Sequence, residues 1–563
     1  MPKFLSSLDQ ATILRAALII AVGLWIYSPV YHGAWLWDDD TDIYNNPITL
    51  NPAGWWMNWF EPGRLQAYYP IKADTQWVQW RLWGNHTLGY HLTNIVFHLC
   101  SALLIWRLLG KIGLRLAWLG GLLFVVHPVT IESVAWIAEL KNTISLPPFL
   151  LALCCWVEFD KNHRPYDYIF TFGWFVVAVL CKISTALFPA LILLYAWWKH
   201  GGLKWSDLKA TAPFWIMSLG VGLITLSLHQ SHALNDQRDT LNGLLPRLSC
   251  VGMTCLFFVF KAMWPVGMLP IYPAWKFNPL SVWETMPDVI LVGLLVWFWT
   301  RRKGWGRHAL LGFGFFLINL VPVIITIQLI YSASMIWSLD HLGYISLIGL
   351  IGLAVAGLDQ IQKRLSTGLN TICGWIVAVI ILVMAMGSHL YASAFVNPET
   401  LWSYTLERNP EAWPAFSNLV IILQRQGDNE DAFKALSAAI KINPENAEAQ
   451  NGLGNIYSLR NQMPEAIFHY ETALKYNPNY TPAYNGLGNA LLLTGDLTNA
   501  RSNCEKALKI DPNYVSAHCT LGLIFAQMGQ ISSAIEQFQI ARQLDPRNAK
   551  IQADLKALIR VGE

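Results

Sequence analysis

Four aspartates fall within five positions, in the run Trp37-Asp38-Asp39-Asp40-Thr41-Asp42-Ile43-Tyr44-Asn45-Asn46-Pro47. They follow directly on the first apolar stretch, Ala16 to Val30. An acid at mid-bilayer costs about 2.5–3.5 kcal/mol even on a lenient insertion scale, so a cluster at the end of an apolar run faces water or a polar cavity. A carboxylate within hydrogen-bond reach of a hydroxyl can take its proton, and neighbouring acids raise one another's pKa toward a useful range. Other ionisable residues sit in apolar surroundings further along: Glu132, Lys141, Lys182 and the Asp340-His341 pair.

These groups must be positioned by membrane helices. Of 563 residues, 54% are hydrophobic and only 13% charged, a balance that makes most of the chain a polytopic membrane protein. Tryptophans cluster near the ends of apolar runs (Trp35, Trp37, Trp197, Trp198, Trp264, Trp337), where indole rings settle at headgroup level. A net charge of +3 gives no footprint for nucleic acid. The cysteines show no zinc spacing and read as structural thiols.

Spanning runs occur near 12–33, 91–109, 116–136, 143–159, 168–181, 183–198, 211–229, 287–300, 308–330, 342–357 and 371–391. Lys3 and Arg15 before the first run, with no small-residue cleavage site after it, predict an uncleaved anchor with its N-terminus inside. Basic residues mark the cytoplasmic loops: Arg107/Lys111/Arg115, Lys161/Arg164, Lys199/Lys204, Arg301/Arg302/Arg307 and Lys363/Arg364. Counting 240–264 as a span would put Arg301-Arg302-Lys303 outside, so it reads as a re-entrant or interfacial segment. About eleven crossings then place the C-terminal region on the side of the aspartate loop, residues 34–90.

After about residue 397 the composition turns soluble. Pro410, Pro444, Pro478, Pro512 and Pro546 recur every 34 residues, and Ala432, Ala466, Ala500 and Ala534 keep the same step. Gly427, Asn461, Gly495 and Gly529 occupy a turn position suited to positive φ. Gly454, Gly488 and Gly522 allow paired helices to touch. Period and pattern specify the tetratricopeptide repeat (TPR), with four repeats and a capping helix. The fold class is therefore all-α: a membrane domain over 1–396 followed by a TPR superhelix over 397–563. Asn451 and Asn485 take equivalent first-helix positions, and Asn455 and Asn489 lie one turn further on. Such a ladder of amides either grips a peptide backbone, recruiting a protein through the groove, or is an ordinary solvated face.

The membrane half carries short motifs in a fixed order: Trp37-Asp38-Asp39-Asp40; Tyr69-Pro70; Tyr90-His91-Leu92-Thr93-Asn94 with His98; His127-Pro128 with Glu132-Ser133-Val134-Ala135-Trp136; Cys181-Lys182; Tyr272-Pro273; Val321-Pro322; and Asp340-His341 ahead of Tyr344. Together with the repeats, this order resembles bacterial relatives of the transmembrane-and-TPR-containing O-mannosyltransferases, within the GT-C superfamily of polyprenyl-phosphate-dependent glycosyltransferases. The resemblance implies inverting transfer of a sugar from a polyprenyl-phosphate donor to a protein hydroxyl, on the outer face of a cytoplasmic membrane, with the TPR array on that same periplasmic side. Thr130, Leu140 and His341 depart from the pattern, where relatives tend to carry His, Arg and Arg.

The resemblance maps an outer-loop general base to Asp38 or Asp39; of the cluster Asp39 is the first choice and Asp38 the second, while Asp40 and Asp42 read as solvated or capping. The leaving phosphate would meet Lys182, then Lys141 and His341; snorkelling is the other explanation for the lysines. His91, Asn94 and His98 share a helical face that either lines the donor cavity or packs against another helix. Glu132, on the span from 116 to 136, requires a partner such as Lys182 or Lys141. Tyr69 and Tyr272 either contact donor or anchor at the interface. Acids and histidines could also hold a divalent metal, but no spacing selects one. Competing readings are a non-catalytic TPR scaffold for an envelope complex and a transferase acting on lipid or polysaccharide.

Overall fold

The computed structural model describes residues 9–61, 68–233, 244–273, 281–330, 340–546 and 548–562; Lys3 and Trp337 lie outside them. All regular structure among these residues is helical. The chain divides into two compact units, Met1–Leu401 and Trp402–Glu563.

Among the described residues of the first unit, six helices are long and apolar enough to cross a membrane: Leu88–Lys111, Ile137–Asn162, Trp205–Ser227, Val282–Thr300, Trp305–Ile324 and Thr367–Phe395. Three shorter apolar helices, Gln10–Ile26, Pro165–Cys181 and Leu347–Gln362, accompany them. The expected span over 116–136 is broken. Ala117–Val126 stops at His127-Pro128, and the chain resumes as Pro128–Ala135 at 60°. Proline has no N–H to continue the ladder and its ring clashes with the preceding turn. His127 fixes the break, accepting from Val129 N through Nδ1 at 3.2 Å while Nε2 reaches Ala262 O at 3.0 Å. Glu132 therefore lies past a bend rather than on a straight crossing.

The segment read as re-entrant or interfacial is helical. Leu244–Met263 is one continuous helix of 20 residues. Cys250, Cys255 and Phe258 pack it into a core with Leu291, Phe313 and Phe316, so its apolar face is covered by neighbouring helices. At one end of the unit the basic residues are tied to acids: Lys111 to Glu158, Lys199 to Asp160, and Arg115 to Asp359 at 2.7 Å.

The second unit stacks helix pairs. Trp413–Gln426 and Asn429–Ile442 are followed by Ala447–Leu459 with Met463–Tyr476, Thr481–Thr494 with Leu497–Ile510, and Val515–Gln527 with Ile531–Leu544; Ala549–Gly562 closes the series. The turn residues adopt positive φ: Gly427 82°, Asn461 59°, Gly495 88° and Gly529 75°. Close approach also follows the spacing. A Cβ on Gly488 would stand 2.6 Å from Cys504 Sγ, and one on Gly454 would stand 2.7 Å from Tyr470 Cε1.

Candidate active site

The segment after the first helix takes its shape from one unusual backbone angle. Trp37 has φ +37°, a left-handed conformation that costs a non-glycine residue about 1–3 kcal/mol. Its indole stacks on Trp136, with centroids 5.2 Å and planes 9° apart. That aromatic contact holds the reversal, and beyond it adjacent carboxylates part company.

Asp39 turns inward and is fully buried. Its two oxygens accept from Leu36 N and Ala138 N, each at 2.7 Å. Burial pushes its carboxyl well above the usual range, against the pull of those two amides. Asp39, the first choice for the base, instead joins the loop to the segment at 138 and is absent from the cavity wall. Asp38 opens into a cavity of about 550 Å³, which Asp42, Tyr69, Lys72, Glu139 and Lys141 also line. This volume is typical of a small-molecule site. Asp38 reaches solvent through the cavity, while the protein enclosing its other sides raises its carboxyl; Lys141 opposes that rise, and Asp42, Glu139 and Asp40 add to it.

Two ion pairs stand in the cavity wall. Lys72 Nζ meets Asp42 Oδ2 at 2.5 Å, and Gln76 Nε2 donates to the same oxygen at 3.1 Å. Lys141 Nζ meets Glu139 Oε1 at 2.8 Å. Behind Glu139, Asn142 Nδ2 donates to Oε2 at 2.5 Å, and Lys182 donates to Asn142 Oδ1. His341 Nε2 stands 3.8 Å from Glu139 Oε1. Its backbone N and its Nδ1 are each 3.0 Å from an oxygen of Glu132. Glu132 thus finds His341 rather than Lys182 or Lys141. Lys182, first choice for the phosphate, is buried against Asn142 and does not line the cavity.

The other expected residues scatter. Asn94 Nδ2 donates to Trp136 O at 3.1 Å and its Oδ1 accepts from Thr143 at 3.0 Å, while His98 Nδ1 pairs with Tyr344 Oη at 2.8 Å. His91, Asn94 and His98 are all buried and none of them lines the cavity. Tyr69 lines the cavity; Tyr272 is buried, donating to Asp340 Oδ1 at 2.9 Å. Among the described residues, no group of three or more His, Cys, Asp or Glu is placed to hold a metal ion.

Three cavity residues go beyond the sequence reading. Asp42 reads as solvated from sequence and Lys72 carries no mark there, although Lys72 lies only two residues past the Tyr69-Pro70 motif. Glu139 carries a usable signal, being an acid within an otherwise apolar stretch. In the repeat unit, Asn451 and Asn485 each leave a buried Oδ1 without a hydrogen-bond partner. Asn455 departs from the expected ladder: its Oδ1 accepts from Tyr470 Oη at 2.7 Å, joining the two helices of one repeat. Asn489 is partly buried one turn beyond Asn485.

Residues 70–229 match the family model of dolichyl-phosphate-mannose-protein mannosyltransferases, while 423–491 and 488–529 match tetratricopeptide repeat models. The chain is similar to proteins named protein O-mannosyl-transferases, and it carries a mannosyltransferase-type segment together with tetratricopeptide repeats. Among its relatives, protein O-mannosyl-transferase F38B6.6 of Caenorhabditis elegans is 29% identical over 23% of this chain and 21% of its own. Protein O-mannosyl-transferase Tmtc3 of Drosophila melanogaster is 20% identical over 71% of this chain and 51% of its own. The chain thus spans about half or less of these relatives' lengths. Among solved structures, TTC0263, a thermophilic TPR protein in Thermus thermophilus, aligns with TM-score 0.27 at 18% identity, over 32% of this chain and 94% of that chain.

Proposed function

We infer that this protein transfers a sugar from a polyprenyl-phosphate donor to a Ser or Thr hydroxyl of a protein, with inversion at the anomeric carbon. The acceptor oxygen attacks C1 as the C1–O bond to phosphate breaks; the phosphate leaves with the bonding pair, and the hydroxyl proton passes to Asp38. One observation carries this reading: a carboxylate held above its ordinary range shares a cavity of small-molecule size with two lysines, Lys72 and Lys141. A base needs a pKa drawn toward working pH, and a leaving phosphate needs cations. Asp39 supports the mechanism from behind, fixing the loop that presents Asp38.

The acceptor is recruited through the repeat groove, where the unpartnered Asn451 and Asn485 oxygens suit backbone N–H donors. The chain sits in a cytoplasmic-type membrane with its N-terminus inside; the aspartate loop and the repeats face outward. The test is reconstitution of the full chain with polyprenyl-phosphate [¹⁴C]mannose and a pool of Ser/Thr-rich secreted proteins. Base-labile label on Ser or Thr supports the reading. Label found only on lipid or polysaccharide would replace the acceptor class, and no label on any acceptor would overturn the reading.

A further inference from the structure

Each cavity lysine already has a carboxylate partner, which raises the question of how either would meet a phosphate. Lys72 is buried and is also bounded by the Gln76–Asp42 contact. Lys141 differs: its side chain is 29% exposed, whereas that of its partner Glu139 is 3% exposed. A buried carboxylate that loses its cation is strongly disfavoured, so Lys141 can leave Glu139 only if other groups hold that charge.

Those groups are present. Glu139 Oε2 keeps Asn142 Nδ2 at 2.5 Å, and Asn142 is backed by the buried Lys182. On Oε1, the side shared with Lys141, His341 Nε2 waits at 3.8 Å, in ion-pair range but beyond hydrogen-bond distance. The imidazole is held in that attitude by Glu132. His341 Nδ1 faces Glu132 Oε1 and its backbone N–H donates to Oε2; with both ring nitrogens protonated, the imidazolium spans Glu132 Oε1 on one side and Glu139 Oε1 on the other. Both Glu132 oxygens are spent on one residue, and Glu132 is fully buried.

We propose that Glu132 and His341 are positioning residues that hold the Glu139 charge, so that Lys141 can exchange Glu139 for the donor's phosphate. Lys141 is the mobile partner; His341 and the Asn142–Lys182 pair are the resident ones. The inference rests on the donor reading above and deepens it, since it gives the pattern-breaking His341 a task away from the phosphate itself.

The experiment measures binding of a short-chain polyprenyl phosphate to the purified full chain in nanodiscs, for wild type, E132Q, H341Q, E139Q and E132Q/E139Q. Thermal unfolding serves as the folding control. E132Q and H341Q should each weaken binding about tenfold, the scale of one charge-assisted contact. E139Q should bind at least as tightly as wild type, because nothing then competes for Lys141. The decisive variant is E132Q/E139Q, which should recover wild-type affinity; a residue needed only for packing would not be rescued by a second substitution at Glu139. Unchanged binding in E132Q, or failure of E139Q to restore it, overturns the inference and leaves the donor reading standing. Absence of binding to wild type, or complete displacement by inorganic phosphate at equal concentration, overturns the donor reading and this inference with it.

Discussion

Replacing Asp38 and Asp39 separately by Asn should give two different failures, although the residues are adjacent. Asp38→Asn removes the cavity-facing carboxylate proposed as the base, without disturbing a buried bond. General-base assistance contributes about 10²–10⁴-fold, or about 3–5 kcal/mol of barrier, so D38N should fold normally and lose that much transfer. Asp39→Asn acts on stability. Asp39 accepts two amides at 2.7 Å through two separate oxygens. An asparagine can satisfy only one of them and turns its NH₂ toward the other donor. Loss of a charge-assisted bond, at about 1.5–3 kcal/mol, adds to the cost of opposed buried donors, at about 1–3 kcal/mol. D39N should therefore melt earlier, with activity falling in step with the folded fraction. The assay pairs label transfer per folded molecule with thermal unfolding in the same detergent. Transfer by D38N within about threefold of wild type, or a D39N that melts like wild type yet transfers nothing, would refute the division of roles.

Further expectations follow from the same geometry. Because Asp38 must be ionised to act and its pKa is raised, kcat/KM should fall as pH drops through a value above the ordinary 3.8; Asp42→Asn removes a charge that adds to the rise and should move that limb to lower pH, whereas an unmoved limb would count against Asp38. Gly488→Ala places a Cβ 2.6 Å from Cys504 Sγ and should cost the repeat unit about 1–3 kcal/mol, read as faster hydrogen exchange over 481–510; unchanged exchange would contradict the close packing. Impermeant thiol labelling of cysteines introduced at Thr41 and Asn485, in a background lacking reactive native thiols, should mark both from the outside. Labelling from opposite sides would mean that Leu244–Met263 adds a crossing and that the repeats cannot meet an outer acceptor.

The repeat unit is legible in the sequence because its signals are local and recur. A 34-residue period fixes which glycines sit under Tyr470, Cys504 and Phe538, and a turn that needs positive φ selects Gly or Asn by sterics alone. The membrane unit's helices are legible as apolar runs, but hydropathy passes smoothly over the break at His127-Pro128 and reads a straight span. At the site the limits are sharper. Asp38 and Asp39 are chemically identical, and what separates them is the left-handed backbone at Trp37, a residue type that gives no sign of it; the Trp136 ring that stabilises it comes from 99 residues further on. The partner of Glu132 is hidden for a similar reason. Hydropathy places Lys141 and Lys182 in the right region, yet His341 reaches Glu132 from 209 residues away. Long-range pairing of this kind leaves no periodic trace.

The central claim, that the cavity beside Asp38 holds a prenylated donor phosphate, is tested most directly by photo-crosslinking. A polyprenyl phosphate bearing a diazirine next to its headgroup would be irradiated with the full chain in nanodiscs and the adducts mapped by mass spectrometry. The structure predicts adducts on the stretch from Asp38 to Asn46, around Tyr69 to Gln76, and at Ala138 to Lys141, all competed away by unlabelled polyprenyl phosphate. Competable adducts confined to other helices, with these three stretches unmarked, would contradict it.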